Sequence, residues 1–453
     1  MHYLATRALG LLAAVTLLIS TASCSTLPSS PKTPFLLLQG AHRPEDAGFS
    51  RQGLARVDAL IERDIAAGFP GAVLLVIKDG KIVKNTSYGY RQKFSGQVPL
   101  KQFQPMTTDT LFDLASNTKM YATNFALQKL VSEGKLDLQA QVQHYLPEFR
   151  DTDSDPIKGK DTLRVIDLLH HSAGFMADPK FHDPQAGGAL YSQDRNKTLA
   201  LLSKTPLAYE PGSKNVYSDM DYMLLGLIVE RITGQRLDDY VENTLYKPLG
   251  LKNTLFTPLQ KGFQASDFAA TELMGNTRGG TIAFPNIRTY TLRGEVHDEK
   301  AFYAMGGVSG HAGLFSTTGD LAVLLQVMLN GGGYGAQQLF DRDTIARFTK
   351  PSEKNPTFAL GWRTNGDASM QWMFGAYASR HAYGHTGWTG TLTVIDPTYN
   401  LGIVLLTNKK HSPVILSGQN AGRFIGDFFA VGRYGEVVSA VYQALLEPAA
   451  TPH

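Results

Sequence analysis

Residues 71–90, GAVLLVIKDGKIVKNTSYGY, set two β-rich runs on either side of Asp79-Gly80, a pair that favours a two-residue hairpin turn. A lone hairpin is marginal in water, so these strands demand partners. None follows nearby. Residues 115–285 read as helical patterns and long loops, with a strongly apolar segment, YMLLGLIVERITG, at 222–234. The partners come near the other end of the chain. GHTGWTGTLTVIDPTYNLGIVLLTN, 384–408, reads as strand, Pro-containing turn, strand, and a long helical pattern follows from about Pro413. Both ends must therefore meet in one sheet. The expected fold class is α+β: a mainly antiparallel sheet flanked by helices over 41–114 and 286–453, plus a mostly helical subdomain over 115–285. A cleft between the two is the expected functional site. Ser50 is placed to cap a helix carrying Leu54, Val57, Leu60, Ile61 and Ile65 at helical spacing.

The start of the chain has a different character. Arg7 is followed by a 12-residue apolar run, Ala8–Ile19, and no charged side chain occurs again until Lys32. Segment 1–24 reads as a secretory signal or a membrane anchor. Cys24, the only cysteine, ends the small-residue stretch TASC and resembles a lipidation site, although Thr21 stands where leucine is usual. Anchor, lipoprotein and cleaved signal all stay open. One cysteine excludes a disulfide within the chain. Segment 25–40, rich in Ser, Thr and Pro, reads as a linker, with folded structure starting near Phe35 to Phe49. Lys and Arg number 43 against 40 acidic residues, a net charge of +3 with no long like-charge run, so nucleic acid is not an expected partner.

Ser-x-x-Lys occurs three times: SSPK at 29–32, SNTK at 116–119 and SEGK at 132–135. The first lies in the linker. The third lies where Gly134 stops a helix. SNTK has the better setting, with an extended apolar segment before it and a helical pattern after it that buries Met120, Phe125, Leu127 and Leu130. Residues three apart share a helix face, which sets Ser116 beside Lys119. The Ser116 N–H at a helix start could serve a developing oxyanion. A Lys119 neutralised by burial could take the Ser116 proton. The ordinary alternative is a Ser cap beside an exposed lysine.

Two further elements shift that balance. NVYSDMDY, 215–222, places Tyr217 and Asp219 on a loop before the apolar helix, where a tyrosine near cations can shuttle protons; Ser218 or Asp219 also suits a helix cap. GHTGWTGT, 384–391, reads as His385, Thr386 and Gly387 opening a strand, with Trp388 offering a backbone N–H. HAG recurs at 311–313, but in a Gly-rich loop without strand context. HDE at 297–299 and His170-His171 have no recognised zinc spacing, so neither a metal nor another cofactor is expected.

SNTK, then YSD, then HTG on a late strand resembles the β-lactamase and penicillin-binding-protein serine hydrolase superfamily, in its class C β-lactamase-related branch. FPGAVLLVIKDGKIV, LLHHSAGF, YKPLGLKNT and YGHTGWTGT carry the same likeness. RGEVHDEKAFYAMGGVSGHAGLFST, 293–317, is most similar to the enteric penicillin-binding protein 4B type. The resemblance implies a β-lactamase/transpeptidase-like fold and catalytic residues Ser116, Lys119 and Tyr217. It implies an oxyanion hole from the N–H groups of Ser116 and Trp388, and substrate alignment by Asp219, His385, Thr386 and Gly387. It also implies a D-Ala-D-Ala carboxypeptidase acting on peptidoglycan stem peptides, anchored in the inner membrane and facing the periplasm. An esterase or weak β-lactamase, or a non-catalytic binding protein, are the alternatives on this fold.

Two residues depart from the family pattern. Asp219 replaces an asparagine, and a carboxylate only accepts hydrogen bonds. It would repel a substrate carbonyl or hold Lys119 charged, which moves the base role to Tyr217. His385 replaces a lysine and is a weaker carboxylate ligand.

Overall fold

The computed structural model describes residues 34–446. Segment 1–24 and Cys24 lie outside the described residues. From Phe35 onward the chain forms one compact unit. Among the described residues no helix is long and apolar enough to cross a membrane.

The expected linker ends before residue 40. Phe35 N–H donates to the Gly335 carbonyl, and β1 (Gln39–Gly40) pairs in parallel with β3 (Lys81–Ser95). The aromatic ring of Phe35 anchors this stretch, filling the space where a side chain on Gly333 would stand.

The helix α1 (Arg51–Ala66) is capped by Ser50, whose Oγ accepts from Gly53 N–H. Strand β2 (Gly71–Lys78) then turns at Asp79 and Gly80, both at positive φ, into β3, and β4 (Val98–Pro105) extends it. Next comes β5 (Phe112–Asp113), which leads into the nucleophile turn; α2 (Phe125–Ser132) and α3 (Asp219–Thr233) follow, then β6 (Leu255–Phe256), β7 (Leu314–Ser316) and α4 (Thr318–Leu329). A small hairpin, β8 (Gly333–Tyr334) with β9 (Gln337–Gln338), precedes β10 (Arg363–Thr364), β11 (Tyr383–Gly387), β12 (Thr391–Asp396), β13 (Leu401–Thr407) and α5 (Gly435–Leu446).

The main sheet has the order β1-β3-β2-β13-β12-β11-β10, with β4 attached to β3. β2 is antiparallel to β13, with Leu74 opposite Leu405, so the two ends of the chain meet in mid-sheet. Both faces are covered. Leu74, Val76, Val394 and Leu405 pack against α1 and α5, while Val73, Leu75, Val404 and Leu406 belong to the core shared with the central helices and α4. This is why β2 reads as an unbroken apolar run. Each such aliphatic side chain contributes about 1.5–3 kcal/mol.

Two expectations are corrected. HTG does not open a strand; it closes β11, and a turn at Trp388–Gly390 separates it from β12. Gly390, at φ 122°, allows that turn. The helix expected from Pro413 begins only at Ala430 and Gly435, because 413–424 is a loop bridged by Val414 and Phe424. The expected boundaries near 115 and 285 are bridged by a three-stranded sheet, β5-β7-β6, which takes strands from all three parts of the chain.

Candidate active site

Asp113, at the end of β5, fixes the turn that presents Ser116. Its carboxylate accepts from Ala115 N–H at 2.8 Å and from His297 N–H at 2.6 Å. Burial pushes this carboxyl up. Ala115 stands at φ 45°, a strained conformation for a residue with a side chain, as is common at functional turns. Ala115–Asn117 is a 3₁₀ turn, and Lys119–Asn124 is a π-helical turn, rather than the regular α-helix start expected. Tight winding here brings residues three apart face to face. Oriented by its neighbours, the Asn117 amide donates to the His385 carbonyl and accepts from Gly387 N–H. A Cβ on Gly387 would lie 2.2 Å from the Leu114 carbonyl. The small residue of β11 thus admits the nucleophile turn itself.

Lys119 is fully buried, and its ammonium uses all three donors. They reach Ser116 Oγ at 3.0 Å, Asp219 Oδ1 at 2.8 Å and the His311 carbonyl at 3.1 Å. Burial opposes the charge, but Asp219 and Tyr217 together outweigh it and the Lys119 pKa is raised. An ammonium that donates to Ser116 cannot also take its proton. Of the two roles read from the sequence, the charged lysine is the one this geometry supports.

Asp219 joins a network that the sequence reading missed. Lys300 contacts Asp219 Oδ2 at 3.1 Å, Asp178 at 2.6 Å and Asp298 at 3.2 Å. His311 Nε2 lies 2.9 Å from Asp298. Although burial opposes ionisation, Lys119 and Lys300 hold Asp219 low, and Lys300 with His311 holds Asp298 low. Thus HDE and HAG, two segments without a metal spacing or strand context in the sequence, build one wall of the cleft. Gly226 of α3 and Gly310 bring them in, because a Cβ on Gly310 would collide with the Tyr222 carbonyl. Ligand atoms of Asp219, Asp298 and His311 lie within 4.8 Å of one another, a spacing open to a cation, but both carboxylates already hold ammonium partners.

The opposite wall sets neutral groups around one guanidinium, Arg363. His385 is buried, and burial first, then Lys119 and Arg363, push it down to about 3. Its Nδ1 lies 2.7 Å from the Thr386 carbonyl, which only accepts, so Nδ1 carries the proton and Nε2 the lone pair. His385 Nε2 and Tyr217 Oη are both buried without a hydrogen-bond partner. The Tyr217 ring faces Lys119 Nζ at 4.9 Å, His385 at 5.9 Å and Arg363 at 5.6 Å. Arg363 also lies over Phe358 at 3.8 Å, and among the described residues no carboxylate pairs with it. Trp388, past the end of β11, is 40% exposed and stacks on His297, with Arg278 and Lys410 over its ring.

These side chains line a cleft of about 410 Å³ that includes Ser116, Tyr217, Asp219, Lys300, Arg363, His385, Thr386 and Trp388. A serine on a strained turn, bonded to a buried lysine beneath an unpartnered tyrosine, defines a serine hydrolase site. Residues 57–427 match the Beta-lactamase family, and the chain belongs to it. It is 62% identical over 401 residues to the N-acetylmuramyl-L-alanine amidase of Bacillus subtilis, covering 88% of this chain and 91% of that protein. It is 56% identical over 423 residues to the "Putative D-alanyl-D-alanine carboxypeptidase" of Escherichia coli K12, covering 93% and 96%. Among solved structures, a penicillin-binding protein homolog from Caulobacter crescentus matches at 22% identity with a TM-score of 0.59, covering 88% of this chain and 99% of that one. The hydrolase EstCE1 matches at 21% identity with a TM-score of 0.62, covering 87% and 99%. At those identities the likeness is one of fold.

Proposed function

We propose that this hydrolase cleaves an amide bond of the peptidoglycan stem peptide through an acyl-enzyme on Ser116, with the terminal D-Ala-D-Ala bond as its leading substrate. The observation that carries the mechanism is the Lys119 ammonium, whose three donors are engaged, one of them by Ser116 Oγ. With Lys119 charged, the Ser116 proton passes to Tyr217. Ser116 Oγ attacks the carbonyl carbon while its proton moves to Tyr217 Oη, and the phenolic proton moves to the leaving nitrogen. The C–N bond breaks, the amine departs protonated, and water repeats the sequence in reverse sense on the ester. The N–H groups of Ser116 and Trp388 are assigned to the oxyanion. Thr386 and Gly387 align the substrate along β11. The cycle calls for no metal or cofactor.

Arg363 favours a substrate bearing a carboxylate. A guanidinium in the cleft without an anion partner is suited to the terminal carboxylate of D-alanine. It takes over the task for which neutral His385 is unsuited. Asp219, engaged by two ammonium groups, acts on Lys119 rather than on substrate. The name of the Bacillus subtilis relative favours a second reading, cleavage between muramic acid and L-alanine. The same serine chemistry serves both bonds. Incubation with a muropentapeptide separates them by mass: loss of one alanine supports the carboxypeptidase, and release of the whole stem peptide supports the amidase. Hydrolysis of a nitrophenyl ester alone would instead favour an esterase. No acyl adduct on Ser116 with any of these substrates would sink the reading as a whole.

The envelope is the setting both relatives' names point to. We place the catalytic unit in the periplasm, tethered at the inner membrane by segment 1–24. Globomycin-sensitive processing with lipid on Cys24 would establish the lipoprotein form, and an unprocessed membrane-bound N-terminus the anchor.

A further inference from the structure

His171 grips the chain on both sides of Tyr217. Its carbonyl accepts from Val216 N–H at 2.9 Å, and its Nδ1 accepts from Ser218 N–H at 3.2 Å. Its ring lies against the Tyr217 ring at 4.7 Å between centroids. His171 does this from φ 53°, a conformation that non-glycine residues rarely adopt, and from full burial. It cannot touch substrate. Asp221, also buried, sets Oδ2 2.8 Å from the same Nδ1. A nitrogen that accepts from Ser218 N–H carries a lone pair. A hydrogen bond from Asp221 to that nitrogen then requires the proton to sit on the carboxyl. The environment agrees: burial and the Asp219 charge push Asp221 well up, while burial, Lys119 and Arg363 push His171 well down.

We propose that His171, steadied by a protonated Asp221, is the positioning residue that holds the Tyr217 hydroxyl in place for proton transfer at Ser116. This rests on the reading of Tyr217 as the proton shuttle. Neither residue was singled out in the sequence for this task. In the sequence His171 stands only within LLHHSAGF and in a His-His pair without zinc spacing.

The test uses steady-state turnover of the full-length protein on a muropentapeptide, normalised by active-site titration with a fluorophosphonate. Asn tolerates positive φ and offers an oxygen near the place of Nδ1, so His171→Asn keeps the backbone clamp but loses the ring against Tyr217. Its kcat is expected to fall about 10-fold to 100-fold per titrated site, with KM unchanged. Asp221→Asn supplies an N–H donor where the neutral acid supplies O–H, and is expected to keep wild-type kcat. Asp221→Ala is expected to resemble His171→Asn; should it not fold, the other two variants decide. Full kcat per site in His171→Asn, or an Asp221→Asn whose folded enzyme is as slow as His171→Asn, would overturn the proposal. Tyr217→Phe separates the two levels: full activity there removes the shuttle reading itself, whereas a slow Tyr217→Phe beside a fast His171→Asn removes only the positioning role.

Discussion

Asp219 and Asp221 stand two residues apart at the start of one helix, yet they belong to opposite electrostatic regions. Asp219 faces Lys119 and Lys300 and is held ionised. Asp221 faces a neutral histidine across a dry contact and is pushed toward the neutral acid. Tyr217 lies between the two regions. One wall of the cleft is thus an ion network whose charges are matched, and the other is a set of uncharged groups with orphaned polar atoms around one guanidinium, Arg363. The contrast shows how one short segment supplies both a fixed field and a mobile proton. Charges that must stay put are locked by partners. Groups that must exchange protons are left with an open valence.

The largest effect should come from breaking the link between the walls. Lys119→Met removes the donor to Ser116 Oγ and one counter-charge of Asp219 together. Acylation measured in a single turnover is expected to fall at least about 10³-fold. Retention of fast acylation would mean that the ion network is scaffolding alone. Tyr217→Phe leaves the ion pairs of the network in place. It is expected to lower kcat about 10²-fold with little change in thermal midpoint, because its hydroxyl has no partner to lose.

How much of this contrast could be read from the chain depends on sequence distance. The Asp79-Gly80 hairpin and the apolar run of β13 declare themselves locally, so the sheet joining both ends is legible. SNTK, Tyr217 and HTG are legible as spaced elements. The supporting residues are not. Asp298 and His311 sit outside regular elements and Lys300 opens a π-helical turn, Lys300–Ala304, so none leaves a periodic pattern, and the close Gly226–Gly310 contact helps carry them to Lys119. Charged residues closely followed by the small and apolar AFYAMGGV were the one available signal. Arg363 lies on a two-residue edge strand, too short to leave a pattern. The π-helical turn after Ser116 leaves no trace in composition, whereas the loop at 413–424 does carry a signal against helix, Gly418 and Gly422, both at positive φ.

The same substitution on the two acids sharpens the comparison at a lower energy. Asp219→Asn strips Lys119 of its carboxylate partner and Lys300 of one of its three. A stability loss of about 3 kcal/mol is expected from urea unfolding, since removing one partner of a buried pair leaves the other uncompensated. Asp221→Asn keeps a neutral donor in a neutral setting and should change stability by less than about 1 kcal/mol at pH 6.5. Equal losses in the two variants would show that Asp221 is ionised after all.

The pH dependence spreads its effect over several units, and there the neutral groups tilt the two flanks of the stability curve. His385 is neutral in the fold down to about 3 but takes a proton in the unfolded chain below about 6.5. The unfolded state then binds more protons, so stability falls as pH drops from 6.5 toward 3, by up to about 1.4 kcal/mol per unit. His385→Gln should flatten that acid flank. The His171–Asp221 pair acts on the other side. Folded, it holds one proton, on Asp221. Unfolded, between about 4 and 6.5, it also holds one, on the histidine, and no slope results. Above about 6.5 the unfolded pair has none while the folded pair keeps its proton, so stability falls as pH rises by up to about 1.4 kcal/mol per unit. Asp221→Asn has no such proton to lose and should level the alkaline flank between pH 6.5 and 8.5. Unfolding midpoints in urea across that range measure it directly. An unchanged alkaline slope in Asp221→Asn would show that the folded pair keeps no proton above about 6.5, leaving Asp221 an ionised carboxylate beside a neutral His171.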